Sequence, residues 1–247
     1  MLWKPLWTLA VLVLVSTIIG KSPSIFEKPQ AQETTEQVIS DPVIIGRNDQ
    51  SGASELSIFK SDDIDDELYA FMLGKSYKEN DYIQIEDLKV LTVTYYGFDD
   101  ESHLGQLVVN KAVASEVLSI FEALYTEKYP IDKINLVDYY DADDDLSMAD
   151  NNTSGFNFRV VSGSTNLSNH SFGLAIDINP LQNPYVTSKG VFPPEGRDFV
   201  DRNQKEKGMI LEGDLCYTLF KENGWAWGGD YKSVKDYQHF EKKLLTE

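Results

Sequence analysis

The sequence predicts an α+β domain, and three observations carry that prediction. Leu88–Tyr96 is dense in β-branched and aromatic residues, the composition of a strand. Val113, Val117, Ile120, Phe121 and Leu124 recur at helical spacing with Pro130 beyond the end, which predicts a helix whose apolar face lies in the core. Leu174, Ile176 and Ile178 alternate with Ala175, Asp177 and Asn179. Side chains of a strand point to opposite faces with period two, so this second strand has an aliphatic face and a face that sets an Asp and an Asn beside a small Ala.

The chain of 247 residues has room for one sizeable domain with appendages. Its 22 basic and 40 acidic residues leave a net charge of −18, which excludes nucleic acid as the expected partner because phosphate binding needs a basic face. Cys216 is the sole cysteine, so no intramolecular disulfide forms, and its place in an apolar helical pattern predicts a buried, inert thiol.

In chain order, Lys4 precedes an apolar run from Leu6 to Ile19 broken only by Thr8, Ser16 and Thr17. Such a run is intermediate between a signal-peptide core of about 7–15 residues and a span of roughly 20. No clear A-x-A cleavage site follows. Residues 1–21 are thus expected to be a signal peptide or, with slight preference, an uncleaved membrane anchor, and either places the rest outside the cytoplasm. Residues 22–61, rich in Ser, Gln, Glu, Thr and Pro, are expected to be a polar extracytoplasmic linker, with Val43–Ile45 as a short strand or docking segment. The globular part is expected over residues 62–247.

Glu67 to Leu73 predicts a short helix ended by Gly74, and Leu107–Asn110 a strand beside Leu88–Tyr96, with Gly97–Asp100 in the turn. The acidic run Asp141–Asp145 suggests a calcium loop, but EF-hand spacing would require a glycine at position 146 and a glutamate at 152, where Leu146 and Asn152 stand. A solvated loop is expected instead. Phe156–Val161 predicts a further strand. Asn183–Tyr185 and Phe192–Pro194 mark a long loop, and Leu215 to Lys221 a last helix closed by Asn223-Gly224.

The polar face of the Leu174–Ile178 strand is where chemistry is expected. A carboxylate projecting from a core strand is costly unless something pairs with it, and His170 lies just before, with Gly173 letting the chain turn between them. The chain has three histidines, His103, His170 and His239, and His239 can complete the set. Two imidazoles and one carboxylate form a catalytic zinc set with a fourth position open for water, whose pKa a zinc ion lowers towards 7. Hydrolysis also needs a group to take the proton from water, and Asp236 is the candidate base. Residues three apart on a regular strand face opposite ways, so Asp236 must precede His239 through a turn or bulge. Gly228-Gly229 and the polar run after Asp230 make such an approach plausible.

Ser168-x-His170-x-x-Gly173-x-Ala175-x-Asp177, followed by Asp236-x-x-His239-Phe-Glu241, resembles the zinc peptidases of family M15, the D-alanyl-D-alanine carboxypeptidases, dipeptidases and L-alanyl-D-glutamate endopeptidases of bacterial cell walls. The likeness extends to Asn151–Arg159, Asn179–Tyr185 and Trp227–Asp230, and covers roughly Phe71 to the C-terminus. It implies the Hedgehog/DD-peptidase fold, a small antiparallel sheet carrying the zinc site and packed by helices. It implies one Zn2+ per chain held by His170, Asp177 and His239, with Asp236 as base and Arg159 as an oxyanion-stabilising residue. The implied substrates are peptidoglycan stem peptides, cleaved first as a D-Ala-D-Ala carboxypeptidase and alternatively as an L-Ala-D-Glu endopeptidase. The aspartate at 236, where the dipeptidase branch has glutamate, argues against dipeptidase specificity. A non-catalytic zinc-containing module is the reading from another class. For Glu241 two readings stand, orienting His239 or lying on the surface, and His103 is assigned no chemistry. Trp225 and Trp227 are expected in the core.

Overall fold

A computed structural model describes residues 57–161 and 164–244. The apolar run Leu6–Ile19 and the Val43–Ile45 segment lie outside the described residues. Among those described, no helix is long and apolar enough to cross a membrane.

Strand β1 (Phe59–Asp63) leads into helix α1 (Asp66–Met72), capped by the Asp65 side chain, which accepts the Leu68 amide at 2.8 Å. Strands β2 (Leu88–Tyr96) and β3 (Ser102–Asn110) form a long antiparallel hairpin, and β1 pairs with the other edge of β2. Leu91, Val93, Leu107 and Val109 face one hydrophobic cluster, and Leu88, Val90 and Val108 face another. Both sides of this hairpin are covered, so β2 reads as a nearly continuous apolar run rather than a strict alternation.

Helix α2 (Ala114–Thr126) lies on the first face, burying Val117, Ile120, Phe121 and Leu124. The chain continues through β4 (Lys133–Ile134), α3 (Asp144–Ala149) and β5 (Asn152–Thr153), then β6 (Ala175–Asp177), the hairpin of β7 (Tyr185–Thr187) and β8 (Gly190–Phe192), and α4 (Leu215–Glu222). It closes with β9 (Ala226–Trp227), β10 (Lys235–Asp236) and β11 (His239–Glu241). Two small antiparallel sheets, in the orders β6-β11-β9 and β10-β7-β8, carry the polar residues of interest.

The α+β expectation holds, with differences. The sheet begins at Phe59, inside the stretch expected to be linker, because β1 completes the exposed edge of β2. Its sequence is largely polar because four of its five residues are exposed. Phe156–Val161 is extended but is not a strand, since its backbone groups bond to separate partners. Phe156 donates to Val108 O at 2.8 Å, Phe158 to Ser76 O at 2.8 Å, and Asn157 to His170 O at 3.1 Å. The acidic run is not simply a solvated loop. Asp143 accepts the Leu146 amide at 3.0 Å and caps α3, whose first turn holds Asp144 and Asp145, where a helix N-terminus favours negative charge. Trp225, Trp227 and Cys216 are buried in the core, and burial pushes the Cys216 thiol well up, as an inert cysteine requires.

Candidate metal centre

Strand alternation builds the centre. On β11, Phe240 points into the core and stacks on Phe220 with ring centroids 4.1 Å apart. His239 and Glu241 therefore share the opposite face. On β6, Ile176 is fully buried in the same core, which turns Ala175 and Asp177 the other way. The antiparallel register sets His239 opposite Asp177 and Glu241 opposite Ala175. Directly opposed side chains are near neighbours, and His239 Nδ1 lies 2.9 Å from Asp177 Oδ1. On its other edge Asp177 exchanges two backbone hydrogen bonds with Ser154, both 2.9 Å, so its backbone is held from both sides.

His170 arrives on a 3-10 turn over Asn169–Phe172, started by Ser168, whose hydroxyl accepts the His170 amide at 3.3 Å. Gly173 ends the turn at φ 65°, and a Cβ there would sit 2.4 Å from the amide nitrogen of Asn110. Both the left-handed backbone and the close approach to β3 require glycine. His170 Nε2 reaches Asp177 Oδ2 at 3.1 Å and His239 Nδ1 at 3.2 Å. The ligand atoms of His170, Asp177 and His239 all lie within 4.8 Å of one another.

The outer nitrogens define the state of each ring. His170 Nδ1 donates to the Gly155 carbonyl at 2.6 Å, leaving Nε2 with its lone pair turned inward. His239 Nε2 faces Glu241 Oε2 at 3.5 Å, so Nδ1 is the inward atom. Two imidazole lone pairs and a carboxylate thus converge as three acceptors, an arrangement that needs either a proton or a cation between them. A divalent metal satisfies all three at once, and nitrogen and oxygen donors with outer nitrogens tied to a carbonyl and a carboxylate suit zinc. In the metal-free protein the proton serves. Burial works against a charged His239 ring, but its hydrogen bonds to Asp177 and Glu241 outweigh this and raise it to about 10. Burial also opposes ionisation of Asp177, yet the charges and hydrogen bonds of the two histidines hold its carboxyl well below the usual carboxylate range.

Asp236 belongs to the other small sheet. Its strand β10 pairs with β7, setting Asp236 opposite Tyr185, and the chain then breaks at Tyr237-Gln238 before β11 begins. This is the irregular approach that the spacing required. Gly228 permits it, since a Cβ there would meet the Asp236 carbonyl at 2.4 Å. Asp236 Oδ1 is buried and has no hydrogen-bond partner. Burial pushes its carboxyl up to about 6, the attraction of His239 and His170 opposing this and the repulsion of Asp177 adding to it.

Arg159 stands next to the centre by its backbone rather than by its guanidinium. Its amide donates to Ser171 Oγ at 2.9 Å and its carbonyl accepts from the Ser168 amide at 3.0 Å, on the turn that carries His170. Its side chain forms an ion pair with Asp144. His103 lies apart from the ligand set, bonded to Asp99 at 2.9 Å and stacked on Tyr95.

The neighbours that sequence reasoning missed are Gly155, whose carbonyl sets the His170 ring, and Asn169 and Tyr231, both hydrogen-bonded to Glu241. A backbone carbonyl leaves no sequence signal. Asn169 flanks a predicted ligand and could have been singled out, whereas nothing marks Tyr231.

Residues 162–242 match the model of a peptidase M15 family described as D-alanyl-D-alanine carboxypeptidase. Over this segment the chain is similar to the M15 peptidases. The matched segment contains the His170 turn, β6, the Asp236 approach and β11, so the family match and the convergence of side chains coincide on the same residues. No solved structure matches the chain significantly.

Proposed function

We propose that the chain is an exported zinc metallopeptidase with the Hedgehog/DD-peptidase fold that hydrolyses peptidoglycan stem peptides, with D-Ala-D-Ala carboxypeptidase as the favoured specificity. The observation that carries this reading is Asp236. A buried carboxylate whose Oδ1 has no hydrogen-bond partner, set beside a ready-made His–Asp–His ligand group, fits a proton-transfer residue. The family description supports the carboxypeptidase specificity, and the apolar run Leu6–Ile19 supports export.

His170, Asp177 and His239 would hold zinc, which when bound supplies a Lewis acid and lowers the pKa of water. Asp236 accepts the proton of the attacking water and returns it to the leaving amine. A carboxyl pushed up to about 6 is better matched to this work near neutrality than an ordinary aspartate. Asp177 stays ionised, so the two carboxylates divide into ligand and base by environment. The resemblance assigns Arg159 to the developing oxyanion, a role for which its guanidinium would have to leave the ion pair with Asp144.

Aspartate rather than glutamate at 236 argues against a dipeptidase and leaves L-Ala-D-Glu endopeptidase activity as the second reading. Incubating the protein with defined stem peptides, each with a free or an amidated C-terminal carboxylate, and weighing the products by mass spectrometry separates the two. A carboxypeptidase releases terminal D-Ala and loses most turnover on amidation. Equal rates on both forms would remove the carboxypeptidase reading, and no cleavage of any stem peptide would favour a zinc-holding module.

A further inference from the structure

We propose that Glu241 is a positioning residue for the metal centre, held by Asn169 and Tyr231 so that it fixes the His239 ring with Nδ1 facing Asp177 and His170. This rests on the metallopeptidase reading and extends it to residues that touch neither metal nor substrate.

Glu241 follows His239 by two positions on β11, so the two side chains lie side by side on one face. The residues opposite Glu241 are Ala175 on β6 and Ala226 on β9, and two methyl groups leave the space a glutamate needs. Into that space Asn169 directs its amide nitrogen, which donates to Glu241 Oε2, and the Tyr231 hydroxyl supplies a second hydrogen bond. A surface glutamate would sample many rotamers. Here two donors from separate segments hold it, and its remaining acceptor capacity meets His239 Nε2 at 3.5 Å.

The arrangement does two things. An acceptor at Nε2 selects the ring form that carries its proton there, which leaves the Nδ1 lone pair for a metal. The Asn169–Glu241 bond also ties the turn carrying His170 to the strand carrying His239, since Asn169 immediately precedes His170. One carboxylate thereby fixes the orientation of one ligand and the spacing of both.

The experiment uses the full chain, stripped of metal and titrated with zinc against a chromophoric chelator. Outer partners of metal-bound histidines typically contribute about 10–100-fold in affinity. Glu241→Ala is expected to weaken zinc binding by about that factor. Glu241→Gln, which keeps a neutral acceptor, should recover most of it. In the zinc-loaded wild type the His239 Nε2 proton should give a slowly exchanging NMR resonance that disappears in Glu241→Ala and persists in Glu241→Gln. Asn169→Ala should weaken zinc binding less than Glu241→Ala does. His239→Ala serves as the reference. If it binds zinc as tightly as wild type, the metal-centre reading itself falls. If it loses zinc while Glu241→Ala stays within twofold of wild type, only the positioning role is overturned. Should Glu241→Ala fail to fold, zinc affinity within twofold of wild type in Asn169→Ala overturns it equally.

Discussion

Replacing Asp236 by asparagine separates the chemistry of this site from its architecture. The amide fills nearly the same volume but cannot accept a proton. Loss of a general base costs on the order of 10²–10⁴ in rate. In free energy this is about 3–5 kcal/mol of transition-state stabilisation. The structure adds an opposite effect on stability. The carboxyl is pushed from 3.8 to about 6 in the folded protein. A group with a raised folded pKa favours the fold when protonated, so ionising it costs stability as pH rises from about 4 to about 6. At 1.4 kcal/mol per decade the full cost above that window approaches about 3 kcal/mol. Asparagine carries no such cost. In metal-free protein at pH 8, Asp236→Asn should therefore be more stable than wild type by up to about 3 kcal/mol. For a domain of this size that is a rise in melting temperature of up to roughly 10 °C. The difference should vanish by about pH 4. Thermal unfolding in chelator at pH 4, 6 and 8, with stem-peptide cleavage measured on the zinc-loaded form, reads both effects. Full activity in the variant would refute the assignment of the base. A variant no more stable than wild type at pH 8 would show that the carboxylate is not held charged in a dry site.

His239→Ala should lower zinc content and the melting temperature of the loaded protein together, whereas Asp236→Asn should keep zinc; metal analysis after dialysis distinguishes them. The raised His239 pKa makes metal-free protein sensitive to alkali. Its contribution is complete below about 6.5 and is lost as pH rises through about 10, so chelator-treated protein should melt progressively lower from about pH 6.5 upward while zinc-loaded protein does not. Gly173→Ala forces a side chain into a left-handed backbone against Asn110, and should cost about 2–4 kcal/mol in chemical denaturation and weaken zinc binding by displacing the His170 turn. Phe240→Ala removes the ring that turns His239 and Glu241 towards the centre, and should cost about 3–5 kcal/mol by the same measurement.

The cluster of His170, Asp177 and His239 was legible in good part because its signal is periodicity. The alternation of Leu174, Ile176 and Ile178 with Ala175, Asp177 and Asn179 fixes which face of β6 is polar, and the same period fixes His239 against Phe240. The hairpin of β2 and β3 and the helix α2 were legible for the same reason. β1 was not, because an exposed edge strand keeps a polar sequence and gains its order from β2. The extended Phe156–Arg159 segment looked like a strand because its apolar residues alternate, but its hydrogen bonds go to β3, to Ser76 and to the His170 turn in succession. Periodicity reports burial, not pairing. The surroundings of the ligands were hidden for a different reason, since Gly155 acts through its carbonyl and Tyr231 through a contact ten residues away in sequence.

The division of the site between two small sheets accounts for its chemistry better than either sheet alone. Ligands must be spaced within a few tenths of an ångström, and His239 and Asp177 gain that from a shared register on β6 and β11. The proposed base has a different requirement: a carboxylate on the same regular strand would lie on the wrong face or pair directly with the histidine. By leaving β10 at Asp236 and entering β11 at His239, the chain brings a carboxylate to the centre from another direction. Asp236 is paired through its backbone to Tyr185, while its Oδ1 keeps no hydrogen bond. The two intervening residues anchor the crossing: Trp227 Nε1 donates to the Tyr237 carbonyl at 2.8 Å, and Ile178 donates to the Gln238 carbonyl at 3.1 Å. The ligand strand β6 and the break before β11 are thus tied at Ile178. A substitution that loosens the break without touching a ligand, such as Trp227→Phe, which removes the indole donor, should lower the rate of stem-peptide cleavage more than it lowers zinc affinity. Equal losses in both would place the break in the ligand scaffold instead.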